Sequence, residues 1–427
     1  MDEYRGVEYL KQKLNLKQPR VRLRYNYYEM KERTHNRGLL TPPWLKGMYE
    51  ATVGWCTQSV DALADRLIFR GFKENSDYYG ANQIFAQNNP SILFGSAIKE
   101  SLIGSCAFVH ITHGVGEERT PRLSVLTAQD ATGIMDEQTG LLKEGYAVLD
   151  RDKNGYPALE AYYTKEGTQY YVNGKESEFE KNPGSYPLLV PIVYKADSKR
   201  PFGHSRITRS SMYLQQFAQN TMERAEITAE FYSFPQKYVS GTDPDIEPME
   251  SWKASLSAFL RFDKDEDGDH PVIGQFQQQS MAPYIEQVRM AASMFAGHTG
   301  LTLDDLGFVT DNPSSAEAIK AAHETLRLIA RKAQMDYGYA FANVGFIAAC
   351  VRDDADYSKA LTEDMTAMWE PIFEPDAAML STVGDGAIKI NQAIPGYFSK
   401  ETLRDLTGIE AADDEPIGLE EEEVVEE

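Results

Sequence analysis

The stretch that decides the fold runs from Thr299 to Leu326, TGLTLDDLGFVTDNPSSAEAIKAAHETL. It opens as a loop in which Gly300 and Gly307 permit bends, and Asn312-Pro313 stops any helix before it. Ser314 and Glu317 then stand three apart ahead of an apolar run, the pattern of a capping box. Ile319, Ala322, Leu326, Ile329 and Ala333 recur at intervals of three and four, and the pattern continues to Val351. This spacing predicts one helix of about 38 residues, roughly 57 Å long, with bends at Gly338 and Gly345. A helix of that length packs beside neighbours, in a bundle or an oligomer.

Upstream, residues 206 to 232 contain neither Gly nor Pro. They predict a helix of about 27 residues, roughly 40 Å, ended by Pro235. Residues 236 to 281 mix short strands with a short helix, MESWKASLSAFL, and a further helix covers about 283 to 297. Within this segment DKDEDGDH, residues 263 to 270, imitates the start of a calcium loop, with Asp263, Asp265 and Asp267 at alternate positions, then Gly268 and Asp269. Such loops need a carboxylate at the twelfth position and helices on both sides. Here that position is Gly274, and PVIGQF reads as a strand. The segment is therefore expected to be an acidic turn and not a metal site. DRDKNG at 150 to 155 fails the same test at Ala161, and its Asn154-Gly155 signals a hairpin.

Toward the N-terminus, Thr41-Pro42-Pro43 marks a break. Val60, Leu63 and Leu67 share a helical face, and a second helix is expected over about 80 to 103. SCAFVHI, 105 to 111, reads as a strand. From 122 to 195 the pattern is β: GYAVLD, ALEAYYT and TQYYVNG alternate, with tight turns at Asn154-Gly155 and Asn173-Gly174. The expected fold class is α+β.

The net charge is −22. The last 18 residues, EAADDEPIGLEEEEVVEE, hold ten acids and no base, so the remainder still carries −12. The first 40 residues run the other way, with ten Lys and Arg against five Asp and Glu. An acidic body does not hold nucleic acid by neutralising phosphates, but it lets a polyanion pass without sticking. Cys56, Cys106 and Cys350 are scattered and suit a reducing compartment. MDEYRGVEYLKQK is no secretory signal, and YAFANVGFIAACV (339 to 351) is too short to span a bilayer. A soluble intracellular protein is expected.

No phosphate loop, HExxH, GxSxG or dinucleotide fingerprint is present. His110 and His113 would face opposite sides of a strand, so they are not expected to share a metal. His298 and His323 are expected to be structural or solvated, and Asp304-Asp305 is weak ground for catalysis. No catalytic, cofactor-binding or metal-ligating residue is assigned, and no enzymatic activity is expected.

The order of elements carries a resemblance. SVDALADRLIFRGF, SLIGSCAFVHI, VPIVYKADSKRPFGHSRI and TGLTLDDLGFVTDNPSSAEAIKAAHETL together resemble the portal proteins of tailed bacteriophages and prophages, the family with a wing, stem, clip and crown, over roughly residues 40 to 352. His204 departs from the arginine frequent there. The resemblance implies an arm and wing over 1–205, stem helices over 206–235 and 282–299, a clip over 236–281, a tunnel loop over 300–313, a long helix over 314–352, a crown over 353–410 and a disordered acidic tail over 411–427. It implies a ring of about twelve subunits at one capsid vertex of the virion, assembled in the host cytoplasm. Double-stranded DNA would pass through the ring, read without sequence preference, at packaging and ejection. Partners would be the terminase large subunit, the major capsid and scaffolding proteins and a head-to-tail adaptor, with no membrane and no cofactor.

Three groups of residues take expected roles on this resemblance. Gly203, Ser205 and Arg206 open the first stem helix, with Gly203 permitting the turn and Ser205 capping the helix. Leu303, Asp304, Asp305, Leu306 and Phe308 form the DNA-facing tunnel loop, apolar between neighbouring loops and anionic toward phosphate. Asp263, Asp265, Asp267 and Asp269 form an anionic collar at the clip. Two other classes stay open at this point, a different virion structural or adaptor protein and an acidic intracellular enzyme.

Overall fold

The helix expected behind the capping box is described over Glu324–Asp353, thirty residues that follow a turn at His323. The computed structural model describes residues 4–33, 50–114, 120–233, 237–240, 272–275, 280–308, 321–373 and 377–407. Ser314 and Glu317, the acidic stretch 263–270 and the tail 411–427 lie outside the described residues. The helices, in chain order, are α1 (Val7–Tyr28), α2 (Trp55–Ala64), α3 (Ala81–Ala86), α4 (Pro90–Gly104), α5 (Arg209–Ser233), α6 (Ala282–Thr299), α7 (Glu324–Asp353), α8 (Ala377–Ala393) and α9 (Lys400–Thr407).

From Tyr337 to Val351 nearly every side chain of α7 is buried, as expected of a helix apolar on all sides. It packs against α3 and against β2 (Cys106–Thr112) and β9 (Leu189–Val193). Gly338 and Gly345, expected as bends, lie inside a helix that is continuous through both. Their purpose is close approach. A Cβ at 338 would lie 2.9 Å from Ala367 Cβ, and one at 345 would lie 2.5 Å from Ala81 Cβ.

Two antiparallel sheets carry the strands expected over 122–195. One has the order β3-β2-β9, with β3 at Arg122–Thr127. The other is a meander of β4 (Ala131–Met135), β5 (Leu142–Arg151), β6 (Pro157–Tyr163), β7 (Gly167–Val172) and β8 (Lys175–Lys181). Asn173 (φ 50°) and Gly174 (φ 74°) are both left-handed in the two-residue β7–β8 turn, the geometry that Asn-Gly favours. At the β5–β6 turn, one carboxylate oxygen of Asp152 accepts from the backbone N–H of Asn154 (2.9 Å) and Tyr156 (2.8 Å). That acid serves its own turn.

The helix expected over 80–103 is two. Asn89 is left-handed (φ 49°) and Pro90 begins α4 at its first turn, where proline's fixed φ is suited and its missing N–H costs nothing. The stretch 353–410 also holds a strand that no alternation in its sequence announced. β12 (Ala367–Trp369) returns to pair with β1 (Phe69–Phe72), placing Phe69, Phe72, Phe85, Phe94, Phe341 and Trp369 in one aromatic cluster. α1 lies on the five-stranded sheet. Leu10 and Leu14 bury against Tyr146 and Val148, and the Glu144 carboxylate accepts from the N–H of Arg5 (2.9 Å) and Gly6 (3.1 Å) at the helix start.

α5 and α6 pack side by side. Thr208 meets His298 at one end (2.6 Å), and Thr228 meets Tyr284 at the other (3.0 Å), so the pair is antiparallel. Between them in the chain, β10 (Lys237–Ser240) pairs antiparallel with β11 (Val272–Gln275), the strand expected at PVIGQF. No described helix is long and apolar enough to cross a membrane.

Candidate functional site

Four helices meet beneath the α5–α6 pair. Gly203 turns the chain with φ +67°, and any Cβ there would fall 2.1 Å from the Tyr194 carbonyl oxygen, so the turn demands glycine. The next residue is fixed too: the N–H of His204 donates to that same oxygen at 2.9 Å.

Ser205 does not cap α5. Its hydroxyl is buried, donates to the Ile103 carbonyl (2.7 Å) and accepts from the N–H of Ile207 (2.9 Å). The N–H of Arg206 donates to Leu102 O at 2.8 Å. These residues satisfy the carbonyls that the C-terminus of α4 leaves open. The cap of α5 falls to Thr208, whose hydroxyl accepts from the N–H of Ser211 (3.2 Å), while the Ser211 hydroxyl accepts from the N–H of Thr208 (2.7 Å). The chain spends three residues crossing the end of α4 before it can begin the helix.

Arg206 is 5% exposed. Its Nε donates to the Ser59 carbonyl of α2, and its Nη2 donates to the Thr299 carbonyl at 2.8 Å. Thr299 is the last residue of α6, so the guanidinium caps a helix C-terminus, where cations are favoured. Burial pulls the pKa of Arg206 below its ordinary value, with Tyr194 acting against that, but arginine keeps its charge. Gln215 of α5 completes the joint by accepting from the N–H of Cys56 (2.8 Å), near the start of α2. The sequence marked Gly203, Ser205 and Arg206. It gave no sign of Ser59, Thr208, Gln215 or Thr299, whose partners lie between 3 and 159 positions away.

The loop that follows α6 leaves from this joint. Gly300 (φ +75°) ends the helix, and the N–H groups of Gly300 and Leu301 return to Ala296 O at 2.8 and 3.1 Å. Asp304 to Leu306 form one 3₁₀ turn. Leu303, Leu306 and Phe308 are half-buried against the core of this chain, and the Phe308 ring lies edge-on to Trp55 at 6.5 Å. Asp305 turns inward: its carboxylate accepts from the N–H (2.8 Å) and hydroxyl (2.9 Å) of Thr302 and lies 3.8 Å from His323 Nδ1. Asp304 is exposed. Of the two acids, one is engaged in the loop's own turn and one is open to solvent. Residues 309–313 lie outside the described residues, as does the acidic stretch that holds Asp263, Asp265, Asp267 and Asp269.

The remaining titratable groups support structure. His110 is buried, pairs with the Tyr163 hydroxyl at 2.9 Å, and is pushed down to about 4 by burial. His113 lies beyond the end of β2 and faces Glu180 at 3.3 Å. The three cysteines are free and buried, and burial raises each thiol, Cys106 to about 11. Among the described residues no group of three or more His, Cys, Asp and Glu is placed to hold a metal.

Comparison with known proteins finds a likeness in sequence to phage portal proteins. The chain is 22% identical over 415 residues to the portal protein of Mycobacterium phage D29, covering 92% of this chain and 84% of that protein. It is 23% identical over 399 residues to the portal protein of Mycobacterium phage L5, covering 89% of this chain and 80% of that protein. No family model matches. Among solved structures, the neck of a native GTA particle computed with C12 symmetry aligns with a TM-score of 0.45 and 14% identity, over 83% of this chain and 89% of that one. The sequence likeness bears out the resemblance to portal proteins and extends it beyond 40–352 to about nine-tenths of the chain.

Proposed function

We propose that this chain is a phage portal subunit. Copies form a closed ring at one capsid vertex of the virion, and double-stranded DNA passes through its channel at packaging and ejection. The observation that carries this reading is the likeness to portal proteins over about nine-tenths of the chain. The joint at Arg206 supports it, because a paired-helix stem must be held firmly to the body of each subunit.

On this reading the ring has about twelve copies under cyclic symmetry. The stem is 206–235 with 282–299, the clip 236–281, the long helix 314–352 and the crown 353–410, and the loop 300–313 narrows the channel. The clip receives the terminase large subunit first and the head-to-tail adaptor later. Major capsid and scaffolding proteins surround the ring, which assembles in the host cytoplasm. Asp263, Asp265, Asp267 and Asp269 supply an anionic collar at the clip. Asp304 is the acid offered to DNA by the loop, and repeated around the ring it repels phosphate and favours sliding over sticking.

Two measurements test this. Light scattering should give several hundred kilodaltons, near about twelve times the 48.0 kDa chain, and projection images should show a central hole. A monomer at every salt concentration counts against the ring. Asp304→Lys, which spares the turn-forming Asp305, should leave rings intact and change the DNA packaged per particle. Unchanged packaging by intact rings would remove the loop from the DNA path.

A further inference from the structure

The outer face of α1 carries two parallel stripes. Lys13, Lys17, Arg20 and Arg24 recur at four, three and four, which sets them on one side of the helix over about 17 Å. Beside them Tyr9, Leu16 and Leu23 recur at seven, with exposures of 38, 83 and 36%. Lys13 and Lys17 stand over the Phe202 ring at 5.0 and 4.9 Å, and Arg24 donates to the Gly104 carbonyl at 2.6 Å. No ion pair joins Lys17, Arg20 or Arg24 to a carboxylate among the described residues. Burial, and then repulsion by neighbouring cations, pulls Lys13 down to about 8 and lowers Arg24. In a chain of net charge −22, Lys17 and Arg20 are exposed positive charge beside uncovered leucine, while Lys13 and Arg24 turn to the Gly133 and Gly104 carbonyls at the edge of the same stripe.

We propose that this face of α1 is a docking surface for the acidic C-terminal segment of the same chain, residues 408–427. That segment matches both stripes. It holds ten acids and no base, with Ile409, Ile417, Leu419, Val424 and Val425 among them. Its length also suffices. α9 ends at Thr407, and twenty further residues extend about 66 Å at ~3.3 Å each, against a radius of gyration of about 22 Å for a compact chain of this size. Duplex DNA answers only the cations and leaves Leu16 and Leu23 uncovered. The acidic segment answers both, and ties the two ends of the chain together by charge. The proposal is independent of the portal reading.

The test is zero-length carbodiimide coupling of the full chain at low ionic strength, with the linked peptides mapped. The expected product joins Lys17 or Lys13 to acids between Glu410 and Glu427. Its yield should be unchanged on tenfold dilution and should fall at least fivefold at high salt. Leu16→Asp, a change at a highly exposed position that touches no lysine, should reduce the yield by a similar factor. Coupling of the tail to other lysines, a yield that Leu16→Asp leaves intact, or a yield that falls with dilution would each overturn the assignment. So would a short DNA duplex that protects Lys17 from acylation while the tail does not.

Discussion

The five-stranded sheet and the joint beneath α5 and α6 close in opposite ways. In the sheet each strand pairs with the next one in the chain, and the turn chemistry sits between them, as at Asn173-Gly174. In the joint almost nothing is local. One guanidinium binds carbonyls 147 and 93 positions away, and one serine hydroxyl reaches a carbonyl 102 positions away. The sheet tolerates the failure of one turn because its neighbours hold their own registers. The joint has one centre, and every element meeting there depends on it.

Breaking that centre should therefore have the largest effect. Arg206→Ala leaves the Thr299 carbonyl at a helix end without its donor, takes a second donor from the Ser59 carbonyl and empties a buried guanidinium site, at about 1–3 kcal/mol for each group affected. A total loss of about 4 kcal/mol is expected as a lower urea midpoint. Arg206→Lys keeps the charge but replaces a planar fork with a point donor, and should recover only part of the loss. If Arg206→Ala unfolds like the parent chain, the joint is not the keystone described here.

The contrast explains what could be read in advance. The β7–β8 hairpin, the helix α5 and the turn at Gly203 were legible because their cause lies within a few residues: Asn-Gly, a run without Gly or Pro, a residue without Cβ. The capping role assigned to Ser205 was wrong for the complementary reason. A serine before a helix looks like a cap, but this one is claimed by the carbonyls of α4, and nothing near position 205 announces α4. Asp305 is similar: adjacent acids look equivalent until Thr302 engages one of them. β12 was missed because its three residues are a strand only through β1, about 300 positions earlier.

A second test sits where the two sheets touch. His110 of β2 bonds Tyr163 of β6 and is held neutral, with its pKa pushed to about 4 from the usual 6.5. The unfolded chain takes up a proton near 6.5 and the folded one does not. Stability from this site is thus complete above about pH 6.5 and declines as pH falls toward 4, by on the order of 3 kcal/mol. Stability measured from pH 7 to 4 should show this slope, and His110→Gln should flatten it. An equal slope in both chains would assign the acid sensitivity elsewhere.

The smallest effect is expected inside the sheet. Asn173→Ala places a side chain with no local hydrogen-bonding ability at φ 50°, which costs about 1–2 kcal/mol. A shift near the lower bound, seen by denaturant titration, would fit a turn supported by pairing on both sides. A loss as large as that of Arg206→Ala would erase the distinction between the two regions.

Gly338 and Gly345 have a consequence for how far this sequence can drift. Each leaves less than 3 Å for a Cβ, against Ala367 and Ala81. A homologue at 22% identity has replaced most of its residues, yet one that keeps this packing can change little at these two positions or at their alanine partners. Two glycines seven apart, each facing a small residue from another part of the chain, form a signature expected to persist wherever this packing is kept. Searched as a pair of pairs, it offers a way to recognise relatives too diverged for alignment.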